Sequence, residues 1–165
     1  MTYFSKVESA KILLEDSIDN YFNNKITPSA FLLAWNARRI LRDLLKKKWQ
    51  ISASYKWVQD NTDTNIDDIE KDLREHSNFF KHSDRKNDEI KQILCTEWML
   101  EIILYDTVFM YKQFVWESTH KMKRFTWYWN FTKRDDIPDK DMQEKMYGII
   151  KVLWKVPTKL EFYNL

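Results

Sequence analysis

The chain contains 165 residues with a formal net charge of +2, and it holds 8 Trp, 8 Tyr and 10 Phe but a single glycine. At an average glycine usage of about 7%, a chain of this length would hold about a dozen. Glycine-dependent hairpin turns and glycine-rich phosphate loops are therefore nearly excluded, and helices joined by glycine-free loops are favoured. The lone cysteine, Cys95, can form neither an internal disulfide nor a zinc site built from several thiolates.

Two helices are predicted in the first 50 residues. Ser5 and Glu8 have the spacing of a capping box, and apolar residues then recur at intervals of three and four, so a helix should run over about 6–23. Thr27 is a favourable N-cap, and a proline follows it at the first helical position. A second helix should therefore run over about 28–48.

The rest of the chain predicts further helices in the same way. Apolar residues at helical spacing indicate a third helix over about 65–81 and a central helix, apolar on most sides, over about 97–116. The polar stretches 51–64 and 83–89 are predicted loops. Two shorter helices are expected beyond His120, one containing the aromatic segment 125–131 and one over the helix-period segment 142–153. The resulting fold class is all-α, an antiparallel bundle of four main helices with one or two short C-terminal helices.

The whole chain is predicted to form one domain, with a core bundle over about 5–117 and an aromatic helical extension over about 120–165. Its longest strongly apolar stretch, 98–110, contains Glu101 and Asp106 and is shorter than the ~20 residues that cross a bilayer. The charged first residues do not have the form of a secretory signal. We therefore expect a cytoplasmic protein without a membrane partner.

Charge is unevenly distributed along the chain. Residues 38–48 contain six basic side chains and one acidic side chain, whereas residues 60–75 contain seven acidic and two basic side chains. In one interpretation, the second and third helices neutralise each other across the bundle. In the other, the basic stretch is exposed and binds the phosphates of a nucleic acid. The candidate nucleic-acid-binding residues of this stretch are Arg38, Arg39, Arg42 and Lys46.

The segment around His82 carries the residues best suited to chemistry. Arg74, Asn78 and His82 follow one another at intervals of four, so they line one edge of the third helix, away from its apolar stripe. A histidine can act as a general base near neutral pH, and the nearby Lys81 and Arg85 can bind phosphate. These groups are the ones that metal-free RNA cleavage requires. In the alternative interpretation, Asn78 and His82 only complete the end of the helix.

This part of the chain resembles a known family of small bacterial helical proteins. The resemblance covers about residues 8–114, and its specific parts are the strings ILRDL at 40–44 and NFFKHSD at 78–84. The layout is similar to the HEPN superfamily, helical bundles that often dimerise and include RNA-cleaving toxins and phage-defence effectors. The resemblance implies a homodimer that acts on RNA or a nucleotide in a bacterial defence or toxin–antitoxin setting.

HEPN nucleases use an Arg followed four to six residues later by His, and this chain departs from that pattern. Ser77 stands where the Arg would give the four-residue spacing, and seven residues separate Arg74 from His82. The resemblance therefore implies a degenerate ribonuclease motif. Within it, His82, Asn78 and Arg74 are the candidate catalytic residues.

Residues 125–131 contain five aromatic side chains, and the flanking stretch 121–134 carries five basic residues and no acidic one. On a helix, Trp127 and Trp129 lie about 200° apart, so at least one of them should be buried against the bundle or another chain. Three uses of the segment remain open: stacking on single-stranded RNA, packing in the core or with a partner, and contact with a membrane surface. Trp127 and Trp129 are the candidate partner-binding residues.

Glu117 and His120 have the spacing of one unit of a di-metal site, which needs a second such unit and two further glutamates. The sequence holds no second unit, so neither a metal nor another cofactor is expected. Two hypotheses about function follow. The first is a HEPN-like, RNA-related protein, and the alternative is a non-enzymatic protein–protein interaction module that uses the aromatic C-terminal segment.

Overall fold

The structure, a computed structural model, describes residues 3–23, 25–52, 65–81, 93–133 and 158–163, together with positions 55, 56, 60, 135, 140, 141, 144 and 147. Within these ranges lie six helices, α1 (Lys6–Phe22), α2 (Pro28–Lys47), α3 (Ile66–Lys81), α4 (Glu97–Val115), α5 (His120–Thr132) and α6 (Lys159–Tyr163). No described residue belongs to a strand. The predicted all-α fold is therefore confirmed.

Side chains cap the N-termini of the main helices. The hydroxyl of Ser5 accepts a hydrogen bond from the amide of Glu8 at 3.1 Å, and the Glu8 carboxylate accepts one from the Ser5 amide at 2.7 Å, so the predicted capping box is present. Threonine hydroxyls cap α2, α4 and α5 in the same manner, at Thr27, Thr96 and Thr119. Each cap satisfies an amide that has no partner inside its helix.

The helices α1 and α2 form an antiparallel hairpin, joined by a short connection after α1. Near the turn, the buried hydroxyl of Ser17 donates to the carbonyl of Ala30 at 2.8 Å. Helix α4 packs against both members of the hairpin. It runs antiparallel to α1, because the Tyr21 hydroxyl near the end of α1 bonds to Glu101 near the start of α4.

Helix α4 runs in the same direction as α2. Arg38 in the middle of α2 is bonded to Asp106 in the middle of α4, and the ammonium of Lys48 lies 3.9 Å from the ring centre of Phe114. The C-terminal ends of α2 and α4 therefore lie side by side. Since α1 is antiparallel to α2, the start of α1 is found at this same end of the bundle.

The described helices of the aromatic extension, α5 and α6, pack on the same core as the bundle. Phe125 of α5 is fully buried, and its ring centre lies 5.4 Å from that of Tyr21 in α1, edge to face. Helix α6 is held through Phe162, whose ring centre is 5.5 Å from those of Tyr128 and Phe131. The largest fully buried apolar side chains lie in α1, α2, α4 and α5: Tyr21, Phe22, Phe125, Phe131, Leu14, Ile18, Leu41, Leu45, Leu100, Leu104 and Met110.

The four main helices begin and end within one residue of the predicted bounds. Of the two helices expected beyond His120, the first is confirmed as α5. The second, over 142–153, lies largely outside the described residues, and so do the predicted loops at 51–64 and 83–89. The short α6 was not predicted. Its signal is a capping box, in which the Thr158 amide donates to the Glu161 carboxylate at 2.8 Å. Among the described helices, none is both long and apolar enough to cross a membrane.

Two tryptophans have a left-handed backbone. Trp49 follows the end of α2 with φ of 58°, and Trp116 follows the end of α4 with φ of 67°. For a residue with a Cβ this conformation costs about 1–2 kcal/mol. Both indoles are almost entirely exposed, at 97% for Trp49 and 87% for Trp116.

Candidate functional site

A groove of about 310 Å³ lies where the end of α4 faces the start of α5. This α4–α5 groove is lined by Val108, Phe109, Lys112, Trp116, Glu117, Ser118, Lys123, Thr126 and Trp127. Val108 is buried and Phe109 is half-buried, whereas Trp116 and Trp127 are exposed. Exposed indoles beside a concave apolar surface can enclose an apolar side chain of a partner.

The packing of α5 on α4 decides which tryptophan faces the groove. The ring of Trp129 lies 4.0 Å from that of Tyr105, centre to centre, so Trp129 is turned toward α4 and is half-buried. Its buried Nε1 has no hydrogen-bond partner in the described part of the chain. Trp127 lies on the other side of the helix and is 48% exposed. Of the two candidate partner-binding residues, Trp127 is therefore the accessible one.

The α4–α5 groove carries a positive charge. Its charged side chains are Lys112, Lys123 and Glu117, all exposed, which leaves an excess of one positive charge. Among the described residues, no ion pair engages Lys112 or Lys123. Two solvated ammonium groups beside an apolar surface attract a segment that combines carboxylates with an apolar side chain.

The basic stretch of α2 is partly buried, and Arg38 is only 1% exposed. Its Nη2 lies 2.7 Å from Oε1 of Glu70 in α3, and its Nε lies 2.7 Å from Oδ2 of Asp106 in α4. The hydroxyl of Tyr55 also bonds to Arg38 and Glu70. The expectation that Arg38 binds nucleic acid is corrected here, because its guanidinium is enclosed and bonded to two carboxylates.

Other residues of this stretch lie nearer the surface. Arg42 is half-buried, and its Nη1 lies 2.9 Å from Oε2 of Glu70. One carboxylate of the acidic α3, that of Glu70, thus pairs with two arginines of α2, in the manner of the first interpretation of the charge pattern. Arg39 and Lys46 are exposed, and their binding of nucleic acid stays a prediction.

The predicted catalytic edge is described only in part. Both Arg74, which is exposed, and Asn78, which is half-buried, lie in α3. The side chain of Lys81 and the whole of His82 and Arg85 lie outside the described residues. The catalytic hypothesis for His82, Asn78 and Arg74 therefore stays a prediction.

The remaining chemical candidates are Glu117, His120 and Cys95. Glu117 and His120 are exposed, and no cluster of three metal-ligating side chains occurs among the described residues. Cys95 is half-buried, and burial raises the pKa of its thiol. A raised pKa keeps the thiol protonated and therefore makes it a poor nucleophile.

A buried polar pair joins α1 to α4. The hydroxyl of Tyr21 donates to Oε1 of Glu101 at 2.6 Å, and the ammonium of Lys159 lies 3.5 Å from the ring centre of Tyr21. Burial, the hydrogen bond to Glu101 and the negative charge of that carboxylate raise the pKa of Tyr21 far above its usual value. In the folded protein this phenol stays protonated in alkaline solution.

Because Tyr21 stays protonated only in the folded protein, the free energy of unfolding should fall at high pH. In the unfolded chain a tyrosine ionises near pH 10, so the stability contributed by Tyr21 is fully present below about pH 10 and is lost as the pH rises further. Tyr21→Phe should reduce the alkaline slope of the free energy of unfolding by about 0.7 kcal/mol per pH unit on average between about pH 9 and pH 11, since one full proton per molecule, or about 1.4 kcal/mol per pH unit, is reached only above that range. Denaturant titrations between about pH 9 and pH 11 measure it, and an unchanged slope would show that Tyr21 titrates alike in both states.

Comparisons with known proteins give no match, whether with family models, with curated proteins or with solved structures. The resemblance to the HEPN superfamily therefore rests on the two strings in the sequence.

Sequence reasoning found Trp127 but missed Trp116 and Lys112 as members of a site. Both were assigned to the end of the central helix, and a helical pattern does not show where a helix end meets another helix. The usable signal was the interval between α4 and α5, since a connection of only four residues, 116–119, predicts an antiparallel helix pair.

Proposed function

We propose that the protein is a non-enzymatic binding module, whose α4–α5 groove holds an acidic segment of a partner protein with one apolar anchor residue. The observation that carries this proposal is the exposed indole of Trp127, which stands in the groove together with Lys112 and Lys123. Tryptophan is among the residues that most often dominate the binding energy of a protein interface.

The chemistry of the groove favours a polypeptide. Its apolar side chains, Val108 and Phe109, suit an aliphatic or aromatic side chain, and its charged residues form a polar margin. Because Lys112 and Lys123 outnumber Glu117, carboxylates next to the anchor should strengthen binding. A volume of about 310 Å³ accommodates one or two side chains, rather than a folded domain.

The proposal is tested with fluorescein-labelled peptides of about ten residues, which carry a central leucine or phenylalanine flanked by aspartates. A second series has asparagine in place of every aspartate. Fluorescence polarisation should show tighter binding of the acidic series. Trp127→Ala should weaken that binding at least about ten-fold, because it removes the main apolar contact of the groove. Lys123→Ala should weaken only the acidic series.

The matched control is Trp98→Ala. Trp98 is 61% exposed but lies at the start of α4, at the opposite end of the bundle from the groove. This variant should bind the peptides like the parent protein. Equal affinity for both peptide series, or unchanged affinity after Trp127→Ala, contradicts the proposal. A labelled single-stranded oligouridine that binds in place of the peptides, with a steep salt dependence, would indicate RNA instead.

A further inference from the structure

One end of the bundle carries a concentration of exposed apolar side chains. They come from three separate stretches, namely the residues before α1 and those at the ends of α2 and α4. We call this surface the aromatic end, and it consists of Tyr3, Phe4, Trp49, Ile51, Val115 and Trp116. Soluble proteins rarely expose large apolar side chains in one contiguous group, so such a group marks a contact surface.

The three stretches meet because of the helix directions. Helices α2 and α4 run in parallel and end side by side, where Nε2 of Gln113 donates to the carbonyl of Ile51 at 3.0 Å. The start of α1 reaches the same end, since α1 is antiparallel to both helices. The two indoles at the left-handed positions, Trp49 and Trp116, thus leave the bundle at neighbouring helix ends.

Lysines surround the aromatic end. Residues 3–8, 46–51 and 112–117 hold five lysines, all exposed, against two glutamates. The lysines are Lys6, Lys46, Lys47, Lys48 and Lys112, and the glutamates are Glu8 and Glu117. One of these carboxylates, that of Glu8, is already bonded to the amide of Ser5. The surface therefore attracts anions.

Aromatic side chains and lysines together suit the surface of an anionic bilayer. Tryptophan and tyrosine prefer the level of the lipid headgroups, and lysines near an anionic membrane are attracted by its negative surface potential. Trp49 makes almost no contact with its own chain and projects outward instead of lining a concavity. A folded protein would need a separate pocket for every projecting side chain, whereas a lipid interface accommodates them all.

We infer that the aromatic end docks the protein on the surface of an anionic lipid membrane, with its indoles at headgroup level. This inference goes beyond the proposed function and concerns a neighbouring part of the molecule, with Lys112, Trp116 and Glu117 at the boundary. It departs from the sequence-based expectation that the protein has no membrane partner. Docking of this kind requires no spanning helix.

The test is co-sedimentation of the full chain with lipid vesicles. Vesicles of phosphatidylcholine with about 30% phosphatidylglycerol should retain the protein, and vesicles of pure phosphatidylcholine should retain much less. Trp49→Ala should lower the bound fraction at least about five-fold on the anionic vesicles. The double change Lys46→Glu with Lys47→Glu should abolish the preference for anionic lipid, because it reverses two charges of the surface.

Two controls separate this inference from the proposed function. Trp98→Ala removes an equally large exposed side chain at the opposite end and should leave vesicle binding unchanged, and so should Trp127→Ala, which disables the groove. Circular dichroism of each variant serves to check that it is folded. Failure of the parent protein to bind anionic vesicles, or equal binding by Trp49→Ala, overturns the inference. Binding of a soluble acidic peptide through Trp49 would assign the surface to a protein and would overturn it as well.

Discussion

Replacement of Arg38 with alanine should lower the free energy of unfolding by about 3–5 kcal/mol. The guanidinium is bonded to Glu70 and Asp106, which are 8% and 5% exposed, respectively. Without Arg38, Asp106 loses the guanidinium that faces it but keeps the hydrogen bond from Ser52, and Glu70 keeps Arg42 and Tyr55. A buried carboxylate that has lost its counter-charge is among the most destabilising defects in a core.

The neighbouring Arg39 provides the matched control. It belongs to the same helix and the same charge class but is exposed, so Arg39→Ala should change stability by no more than about 0.5 kcal/mol. Urea titration of both variants measures the difference. The destabilisation caused by Arg38→Ala should persist in high salt, since buried ion pairs are little screened. A loss below about 1 kcal/mol for Arg38→Ala would show that water or other side chains replace the guanidinium.

Phe125→Ala should destabilise the whole protein by about 3–5 kcal/mol, in a single unfolding transition. Phe125 is fully buried and packs edge-on against both Tyr21 and Phe22 of α1. Its removal leaves a cavity between the aromatic extension and the hairpin of α1 and α2. Because this cavity lies in the shared core, the bundle and the extension should lose stability together.

The control for this prediction is Trp127→Ala, two residues further along α5. Trp127 is half exposed on the groove side, so its removal should cost less than Phe125→Ala and leave the protein folded for the peptide experiment. Thermal and urea unfolding are followed by circular dichroism and by tryptophan emission. In the parent protein, in Phe125→Ala and in Trp127→Ala, the two probes should each report the same single transition. Two separate transitions in Phe125→Ala would show that residues 120–165 form an independent unit, contrary to the single domain predicted from the sequence.

The helices could be predicted closely because their bounds depend on neighbouring residues. The reciprocal bonds of Ser5 and Glu8, and the cap that Thr27 provides for α2, are local chemistry that a sequence displays directly. The short α6 has its own capping box but only five residues, too few for an apolar period to be recognised.

The site was less predictable, because it depends on which helix faces which. Asp106 and Glu101 interrupt the most apolar predicted helix, and such charges indicate buried partners without identifying them. The partners proved to be Arg38 and Tyr21, 68 and 80 residues away in the chain. The same limitation explains why the sequence left open whether Arg38 is exposed, and why Trp116 was not assigned to a site.

The left-handed backbone at Trp49 and Trp116 implies a conflict between stability and surface chemistry. Glycine is the residue that best tolerates this conformation after a helix, and it would relieve about 1 kcal/mol at each position. The chain has a single glycine and places an exposed indole at both positions instead. A glycine variant at either position would gain in folding free energy but would lose the side chain that projects from the aromatic end. The protein thus forgoes part of the folding stability that glycine would provide, and both positions concerned lie at the aromatic end.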